Sequence, residues 1–356
     1  MQSVHNKIAV VLFQLGGPDS LEAVEPFLFH LFMDPGIIDF PLAFLARKPL
    51  AKLISFRRSL KVQNNYKMIG GKSPILNLTR LQAKALHARL IQQGIQAQVF
   101  IAMRYWHPMI HDIVGEIKAG EFHQVILIPL YPQFSQATTG SSFHEWSCQI
   151  KKQGLNIPTR FVCCYPNHPA LVDAVVGNIN KALAEFSHTP PENIDLVFSA
   201  HGIPVRNVQK GDPYRLQIEE TVRRVVERGK WNSPYMLCFQ SKVGPLQWLK
   251  PSLIETVDRL ARENRKHLLV IPIAFVTDHI ETLHEINIDV RSRAMTRGVQ
   301  QFELMPALND NPKFIECLAE LVTGRLMHAG ECTTCESLWR ENTSLPKPKK
   351  CPHCKL

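Results

Sequence analysis

Short, nearly continuous apolar runs alternate with longer amphipathic segments along the whole chain. Runs of this kind are typical of parallel strands that are buried on both faces of a sheet. Four occur in the first half and four in the second. The predicted strands are Lys7–Leu15, Ala97–Arg104, Gln124–Tyr131, Thr159–Tyr165, Ile194–His201, Tyr235–Ser241, His267–Val276 and Gln301–Met305.

The segments between these runs carry apolar residues at helical spacing. Predicted helices include Leu76–Gln92, Pro108–Ala119, Pro169–Phe186, Tyr214–Arg228 and Pro251–Asn264, with Pro312–Met327 as a closing helix. This alternation predicts an α/β protein with two similar doubly wound (Rossmann-like) halves, each built on a four-stranded parallel sheet. We expect an N-terminal domain over 1–167, a C-terminal domain over 168–327 and a Cys-rich tail over 328–356.

The two halves also resemble each other in sequence. Val125–Leu130 matches Leu268–Ile273 in apolar pattern and in the position of its proline. The match suggests that the halves arose by duplication.

Composition narrows the class of protein. The chain has 356 residues, of which 45% are hydrophobic, and this is enough apolar material for two cores. Its net charge is +10. An excess of basic over acidic residues favours binding to nucleic acid, to an anionic membrane surface or to an acidic ligand. The cationic residues are scattered and no base-reading motif occurs, so we expect no nucleic-acid partner.

Location is predicted from what the sequence lacks. The longest apolar run, Leu268–Val276, is far shorter than the about 20 residues that span a bilayer. The first predicted strand begins so early that it leaves no room for a signal or transit peptide. Nine cysteines without an even framework fit reduced thiols, so we expect a cytoplasmic protein.

One segment, Ile37–Ser59, mixes many large apolar residues with lysine and arginine. A basic amphipathic stretch is typical of a lip that covers a ligand or lies on a membrane, and we place such a lip at about 36–60. An ordinary core helix is the alternative.

A histidine ends the fifth predicted strand in a setting of small residues, Ser199-Ala200-His201-Gly202. Ligands of open α/β sheets bind beyond the carboxyl ends of strands. The small neighbours would let a ligand approach the imidazole, which in its neutral form is the best available base near pH 7. A hydrogen-bonded structural histidine is the alternative.

Three carboxylates follow the most apolar strand, at Asp278, Glu281 and Glu285. In an α-helix this spacing places them on one face, where like charges repel. A cation or a proton would relieve that repulsion, and oxygen ligands with histidine suit a metal such as Fe²⁺. We therefore expect His201 to face these carboxylates across a crevice, with a solvated helix face as the alternative.

Aromatic and polar residues end two further strands, at Arg104-Tyr105-Trp106-His107-Pro108 and Tyr131-Pro132-Gln133-Phe134-Ser135. Flat side chains with polar tips are suited to stacking a planar ligand, although they also occur in cores. A loop at Gly70-Gly71-Lys72-Ser73 suits either an anion-binding turn or a plain tight turn.

The tail carries the most specific local pattern. Cys332 and Cys335 form one C-x2-C pair, and Cys351 and Cys354 form another. This spacing predicts a four-cysteine site for Zn²⁺, and the same thiolates would also suit a [2Fe–2S] cluster. Free thiols on a loose tail are the alternative.

Eight motifs in register, from about residue 7 to 325, together resemble the ferrochelatase family. They are Leu15-Gly16-Gly17-Pro18, Tyr66 with Ile69-Gly70-Gly71-Lys72-Ser73-Pro74, Arg104-Tyr105-Trp106-His107-Pro108, Tyr131-Pro132-Gln133-Phe134-Ser135, Ser199-Ala200-His201, Gly211-Asp212-Pro213-Tyr214, Gln240-Ser241-Lys242-Val243-Gly244-Pro245 with Trp248-Leu249, and Phe275 with Asp278-His279-Ile280-Glu281-Thr282-Leu283. The resemblance implies a chelatase-type fold with the active-site cleft between its domains, and a lyase that inserts Fe²⁺ into a porphyrin in the last step of haem synthesis.

The resemblance also implies roles for individual residues. His201 matches the family's proton acceptor or metal ligand, Glu281 its partner carboxylate, and Asp278 and Glu285 an acidic path for iron. In the family, part of the helix that carries Glu281 is π-like. Residues that match porphyrin-binding positions are Leu15, Arg58, Tyr66, Ser73, Arg104, Tyr105, Tyr131, Trp248 and Phe275.

Two departures from the family pattern refine the expectation. Gln136 stands where animal members have a cluster ligand, so the tail cysteines must form a separate site. Leu15 stands where Gram-positive coproporphyrin-type members typically have tyrosine, which together with His279-Ile280-Glu281-Thr282-Leu283 favours protoporphyrin IX as the substrate. Coproporphyrin III chelation, insertion of another metal and a tetrapyrrole carrier without catalysis are the alternatives, and peripheral membrane contact and oligomeric state stay open.

Overall fold

The computed structural model describes residues 7–35, 37, 43–242 and 246–327. Eight strands lie within this range. They are β1 Ile8–Gln14, β2 Ala97–Met103, β3 Gln124–Pro129, β4 Thr159–Phe161, β5 Ile194–His201, β6 Tyr235–Gln240, β7 His267–Pro272 and β8 Gln301–Leu304. The predicted strands are all present. Where the ends differ, the observed strands are shorter, and β3 and β7 stop at a proline, which has no N–H to continue a ladder.

The strands form two four-stranded sheets in which every pair is parallel. Their orders are β2-β1-β3-β4 and β6-β5-β7-β8. The predicted fold class is therefore confirmed. Both sheets bury their central strands, and β1 and β7 consist almost wholly of inaccessible aliphatic or aromatic residues.

Helices fill the connections between the strands. They are α1 Val24–Met33, α2 Ala43–Lys67, α3 Ile75–Gln92, α4 Ile110–Ala119, α5 Ser141–Gln153, α6 Pro169–Leu183, α7 Val205–Gln209, α8 Tyr214–Gly229, α9 Leu253–Arg262, α10 Arg291–Thr296 and α11 Pro312–Met327. Two segments are π-helices, Gln136–Gly140 and Glu281–Val290. The six predicted helices are present, and the others were not predicted individually.

The described chain divides into two compact units. One comprises the residues up to Tyr165 together with those from Ile315 onward, and the other is Pro166–Phe314. The core of the first unit packs Phe13 against Phe143 and Trp146. The core of the second packs Val197 and Val270 among the apolar residues of its helices. The domain boundaries and the tail stay predictions.

The two sheets repeat one pattern of register. Ile8 of β1 pairs with the first residue of β3, and Ile194 of β5 pairs with the first residue of β7. Leu15 lies seven residues after Ile8, and His201 lies seven residues after Ile194. Leu15 therefore has in the first sheet the position that His201 has in the second. A π-helix follows the third strand of each sheet. The repeat supports the duplication that the sequence suggests.

The second half of the predicted lip forms the start of α2, while residues 36 and 38–42 lie outside the described residues. Leu53, Phe56 and Leu60 are exposed on α2, and Ala51 and Ser55 are buried. This helix therefore has one face in the first unit and one apolar face in solvent. In the described part of the chain, no helix combines the length and hydropathy needed to cross a membrane.

Candidate active site

The imidazole of His201 and the carboxylate of Glu281 form a direct hydrogen-bonded pair. His201 ends β5, and Glu281 begins the π-helix after β7. Nδ1 of His201 lies 2.8 Å from Oε2 of Glu281. The side chains are 36% and 24% exposed, respectively. Among the described residues none hydrogen-bonds Nε2 of His201, so this nitrogen is available to a ligand.

This contact corrects one part of the predicted geometry. We expected the histidine and the carboxylates on opposite walls of a crevice, with a planar ligand between them. A separation of 2.8 Å leaves no space for a macrocycle between His201 and Glu281. β5, which ends at His201, and β7, which precedes Glu281, are neighbours in one sheet, so both groups lie at the same edge of that sheet.

The π-helix changes how the acidic residues are presented. Its i→i+5 hydrogen bonds wind the backbone more loosely than an α-helix, so the regular i,i+4 face of the prediction does not apply. Glu281 and Glu285 still converge, but on a third residue, Ser241. The Oγ atom of Ser241 lies 3.2 Å from Oε2 of Glu281 and 2.5 Å from Oε2 of Glu285. The π-helix itself agrees with what the family resemblance implies.

Gln240, the last residue of β6, and Ser241, which follows it, complete this group. The N–H of Ser241 donates to Oε1 of Glu285 at 2.9 Å. The side-chain Nε2 of Gln240 lies 3.4 Å from Oε2 of Glu281. The side-chain Oε1 of Gln240 accepts a hydrogen bond from the Ser199 hydroxyl at 2.8 Å. The sequence analysis gave neither Gln240 nor Ser241 a role. Both lie at the carboxyl end of the predicted strand Tyr235–Ser241, and this position was the available signal.

Mutual interaction sets the charge of the pair. Burial on its own would lower the pKa of His201, but the Glu281 carboxylate outweighs it and the pKa of the imidazole is raised. Burial on its own would raise the pKa of Glu281, but His201 outweighs it and the pKa falls to about 2. Burial, and then the charge of Glu281, raises the pKa of Glu285. The Glu281 carboxylate therefore makes the imidazole more basic, and the imidazole in turn keeps Glu281 ionised.

Asp278 serves a different part of the structure. Its Oδ1 accepts from the Thr282 hydroxyl at 2.9 Å, and its Oδ2 accepts from the Asn309 amide at 2.8 Å. The backbone N–H of Ala307 also donates to Oδ1. Asp278 thus ties the start of the π-helix to the segment after β8. Its predicted role on an iron path stays a prediction.

Aromatic residues border the His201 pair. The ring of Phe275 meets that of His201 edge to face with 6.3 Å between centroids, and meets that of His279 at 4.6 Å. Trp248 is half-buried, and a bridge joins its backbone to Pro204 just after His201. These two predicted wall residues therefore lie next to the segment that carries the histidine.

A second network lies at the end of β2, in the first unit. The guanidinium of Arg104 is 2.9 Å from Oδ2 of Asp34, and the Tyr105 hydroxyl donates to the same oxygen at 2.7 Å. Ser141 also donates to Oδ2 and accepts from Nε of Arg104. The Arg104 guanidinium lies over the Tyr105 ring at 4.9 Å. Asp34 is 5% exposed, and the sequence analysis did not identify it.

Two predicted porphyrin contacts of this unit are tyrosines in its interior. Burial raises the pKa of Tyr105 and of Tyr131, so both hydroxyls stay neutral. Leu15 is half-buried against the same core, and its carbonyl accepts from the N–H of Tyr105 at 3.0 Å.

The remaining predicted contacts lie near α2. Arg58 stacks its guanidinium over Phe32 at 5.6 Å, whereas Tyr66 and Ser73 are buried. Gly70 and Gly71 have φ of +96° and +81°, so this loop is a turn that requires glycine, whether or not it also binds an anion.

Comparisons with known proteins agree with these motifs. The Ferrochelatase family model matches residues 7–326. A ferrochelatase from Pelagibacter ubique is 41% identical over 352 residues, covering 97% of this chain and 98% of that protein. One from Geotalea daltonii is 45% identical over 316 residues, covering 89% of this chain and 97% of that protein.

The chain belongs to the ferrochelatase family. It is therefore a lyase whose substrates are ferrous iron and a porphyrin, as the sequence resemblance implies.

Solved structures of more distant chelatases share the fold. SirB from Bacillus subtilis, in a structure with Fe³⁺, has a TM-score of 0.53 and 11% sequence identity, and the match covers 89% of this chain and 94% of SirB. A SirB structure from the subspecies spizizenii, in complex with cobalt, has a TM-score of 0.51 at 10% identity, with the same coverage. At these identities the likeness concerns the fold alone.

In the part of the chain that the structure describes, no three His, Cys, Asp or Glu side chains are grouped to hold a metal ion. His201, Glu281 and Glu285 therefore do not form a closed metal cage in this structure. Cys332, Cys335, Cys351 and Cys354 lie outside the described residues.

Proposed function

We propose that the protein inserts Fe²⁺ into protoporphyrin IX to form protohaem, with His201 as proton acceptor and Glu281 as its partner. The reaction exchanges the two N–H protons of the macrocycle for one Fe²⁺ and releases two protons. The observation that carries the proposal is the His201–Glu281 contact, which engages Nδ1 and leaves Nε2 available.

The geometry suits an imidazole that receives a proton. A carboxylate on Nδ1 fixes the tautomer whose Nε2 carries a lone pair, and it stabilises the imidazolium once a pyrrole proton arrives. Glu281 stays ionised because its own pKa is about 2. Glu285, held by Ser241, then adds a second carboxylate beside the pair that suits the incoming cation.

The macrocycle must also be distorted. A flat porphyrin keeps its nitrogen lone pairs in the ring plane, so a site that holds it bent lowers the barrier to metal entry. Wall residues in the proposal are those that match family positions. They are Leu15, Tyr105, Tyr131, Trp248 and Phe275, with Arg58, Tyr66 and Ser73 toward the propionates and Arg104 behind the wall.

The choice of protoporphyrin IX rests on Leu15, together with the motif His279-Ile280-Glu281-Thr282-Leu283. An apolar, half-buried side chain at this position suits the apolar edge of protoporphyrin, and coproporphyrin-type members have tyrosine there. Coproporphyrin III is the alternative substrate.

The experiment follows porphyrin fluorescence with Fe²⁺ under reducing, anaerobic conditions, with protoporphyrin IX and coproporphyrin III in parallel. We expect many turnovers of protoporphyrin by the wild type and none by His201→Ala or Glu281→Gln. Arg215→Ala, an exposed residue of α8 in the same unit, is the control and should turn over normally. Stoichiometric quenching that neither active-site variant alters would instead indicate a carrier without catalysis.

Peripheral contact with a membrane is part of the proposal. Leu53, Phe56 and Leu60 recur at helical spacing on α2 and are 47%, 64% and 71% exposed. Lys52 and Arg57 are exposed on the same helix. An apolar stripe with basic flanks suits an anionic lipid surface.

The tail carries the second metal proposal. Four thiolates in two C-x2-C pairs suit Zn²⁺ or a [2Fe–2S] cluster. Protein purified anaerobically should contain one zinc or two iron atoms per chain, and a variant that ends at Met327 should contain neither. Cys148→Ser, which removes an exposed free cysteine, should leave the metal content unchanged. Full-length protein without bound zinc or iron would refute the four-cysteine site.

A further inference from the structure

Ser241 is the point at which the two glutamates of the π-helix meet. Its N–H donates to Oε1 of Glu285 at 2.9 Å, and its hydroxyl lies 2.5 Å from Oε2 of the same residue. Oε2 of Glu281 is 3.2 Å from that hydroxyl. One serine thus contacts both oxygens of Glu285 and one oxygen of Glu281.

The backbone of Ser241 is in the left-handed region, with φ at +64°. Glycine adopts this conformation freely, whereas residues with a Cβ adopt it at a cost. In this conformation the N–H and the hydroxyl of Ser241 bind the same carboxylate. A serine in a position suited to glycine therefore points to a use for its hydroxyl.

A hydroxyl has one proton and donates it to one acceptor at a time. The shorter distance assigns that proton to Glu285, which then receives two hydrogen bonds from Ser241. Glu281 in turn is engaged by Nδ1 of His201 at 2.8 Å, with Gln240 more distant at 3.4 Å. The two glutamates are thereby held by different partners.

The repeat in the two sheets offers an internal parallel. Val10 of β1 and Leu196 of β5 hold equivalent register positions, and their partners on the neighbouring strands are Val99 and Tyr235. Tyr105 lies six residues after Val99, and Ser241 lies six residues after Tyr235. Tyr105 therefore has in the first unit the position that Ser241 has in the second. Tyr105 also directs its hydroxyl to a carboxylate, that of Asp34, at 2.7 Å. Both units thus place a hydroxyl donor just beyond the second strand.

We propose that Ser241 is a positioning residue that holds Glu285 in place and so keeps Glu281 available to His201. The inference rests on the proposed function, because the pair it protects is the proposed proton acceptor and its partner. Ser241 itself touches neither the metal nor the porphyrin in this proposal. It acts on the rate of metal insertion and not on porphyrin binding.

Two substitutions distinguish the effect of losing the hydroxyl from the effect of the left-handed backbone. Ser241→Ala removes the hydroxyl and keeps a Cβ in the left-handed region, whereas Ser241→Gly removes the hydroxyl and relieves the backbone. We expect both to lower kcat about tenfold, with the KM for porphyrin unchanged. Ser233→Ala is the matched control, since Ser233 is a buried serine of the same unit whose hydroxyl binds only a backbone carbonyl, that of Pro191.

A double variant tests whether Ser241 acts through Glu285. In a Glu285→Gln background there is no carboxylate at position 285 for the Ser241 hydroxyl to hold in place. We therefore expect Ser241→Ala to lower kcat much less there than in the wild type, so that the two effects do not multiply.

Three results would overturn the inference. They are wild-type kcat in both Ser241 variants, full recovery of kcat in Ser241→Gly alone, and effects of Ser241→Ala and Glu285→Gln that multiply. Because Ser241→Gly relieves a strained backbone, failure to fold does not confuse the result. Absence of turnover in the wild type would refute the proposed function itself, whereas normal wild-type turnover with unaffected Ser241 variants would refute only the inference.

Discussion

Oε2 of Glu281 lies 2.8 Å from Nδ1 of His201, although 80 positions separate the two residues in the chain. Adjacent parallel strands bring them together, since β5 ends at His201 and the π-helix that follows β7 begins at Glu281. The contact determines both the charge of the imidazole and the orientation of its free nitrogen. Several measurable properties of the protein follow from it.

The first prediction concerns the pKa of His201. In the wild type the Glu281 carboxylate outweighs burial, so the imidazole should titrate above its usual value of 6.5. Glu281→Gln removes the carboxylate and leaves burial, so the pKa of His201 should fall. NMR titration of the imidazole C–H signals measures both values.

His201→Ala identifies the signal that belongs to the active-site histidine. A His201 pKa that is the same in the wild type and in Glu281→Gln would contradict the paired geometry.

The second prediction concerns how the pair stabilises the fold at different pH. The pKa of Glu281 is lowered from 4.5 to about 2, so its contribution is present above pH 4.5 and is lost as pH falls toward 2. The pKa of His201 is raised from 6.5, so its contribution is present below 6.5 and is lost as pH rises through the folded-state value. The coupling should therefore be greatest between about pH 4.5 and 6.5.

A double-mutant cycle measures this coupling. The free energies of unfolding of the wild type, His201→Ala, Glu281→Gln and the double variant are compared in urea at several pH values. A coupling energy that does not change from pH 3 to pH 9 would be inconsistent with an ion pair between the two side chains.

Apolar pattern was sufficient to predict both sheets of this protein. Each buried strand is a short run of aliphatic residues, and the intervening helices have a regular polar face, so local sequence carries the information. α1 was missed because its residues are apolar around much of the helix and show little periodicity. α5 was missed because the polar residues at its start resemble a loop.

The site was predictable residue by residue but not in its geometry. His201 ends one buried strand and Glu281 follows another, and these positions mark them as candidates. Their direct contact depends on strand order, which the sequence does not state. The meeting of two glutamates at Ser241 depends on a π-helix and a left-handed backbone, and neither follows from residue spacing. The partners of Asp34 lie 71 and 107 positions away, beyond any local pattern.

The third prediction concerns the buried carboxylate of Asp34. Asp34→Ala leaves the Arg104 guanidinium and the Tyr105 hydroxyl without their shared acceptor in a nearly dry site. Breaking a buried ion pair of this kind costs about 3 kcal/mol or more. Urea unfolding should show this loss in the free energy of unfolding.

An exposed ion pair is the control for Asp34. Glu219 contacts Arg215 at 2.8 Å on the surface of α8, where both side chains are largely exposed. Glu219→Ala should cost about 0.5 kcal/mol or less. Similar losses for Asp34→Ala and Glu219→Ala would show that the Asp34 network contributes no more than a surface pair.

The fourth prediction compares two glycines. A Cβ on Gly17 would lie 2.5 Å from Oγ and 2.7 Å from Cβ of Ser73, so Gly17→Ala must displace Ser73. Crowding of this kind costs about 1–3 kcal/mol. A Cβ on Gly177 in α6 meets no atom within 4 Å, and Gly177→Ala should stabilise by up to about 1 kcal/mol. Thermal unfolding shows whether each substitution stabilises or destabilises the protein. A stabilised Gly17→Ala variant would contradict the packing of Gly17 against Ser73.

The last prediction concerns the apolar stripe of α2. If Leu53, Phe56 and Leu60 enter a lipid surface, replacing all three with serine should strongly reduce co-sedimentation with vesicles that contain phosphatidylglycerol. Binding by the wild type should also weaken at high salt, because Lys52 and Arg57 attract the anionic headgroups. Leu81 and Ile91 of α3 are similarly exposed, at 47% and 41%, so replacing them with serine is the matched control. Equal loss of binding in both sets of variants would show that lipid contact depends on general surface hydrophobicity. Binding that survives the triple substitution would place the contact elsewhere, because the α2 stripe would then make no measurable contribution.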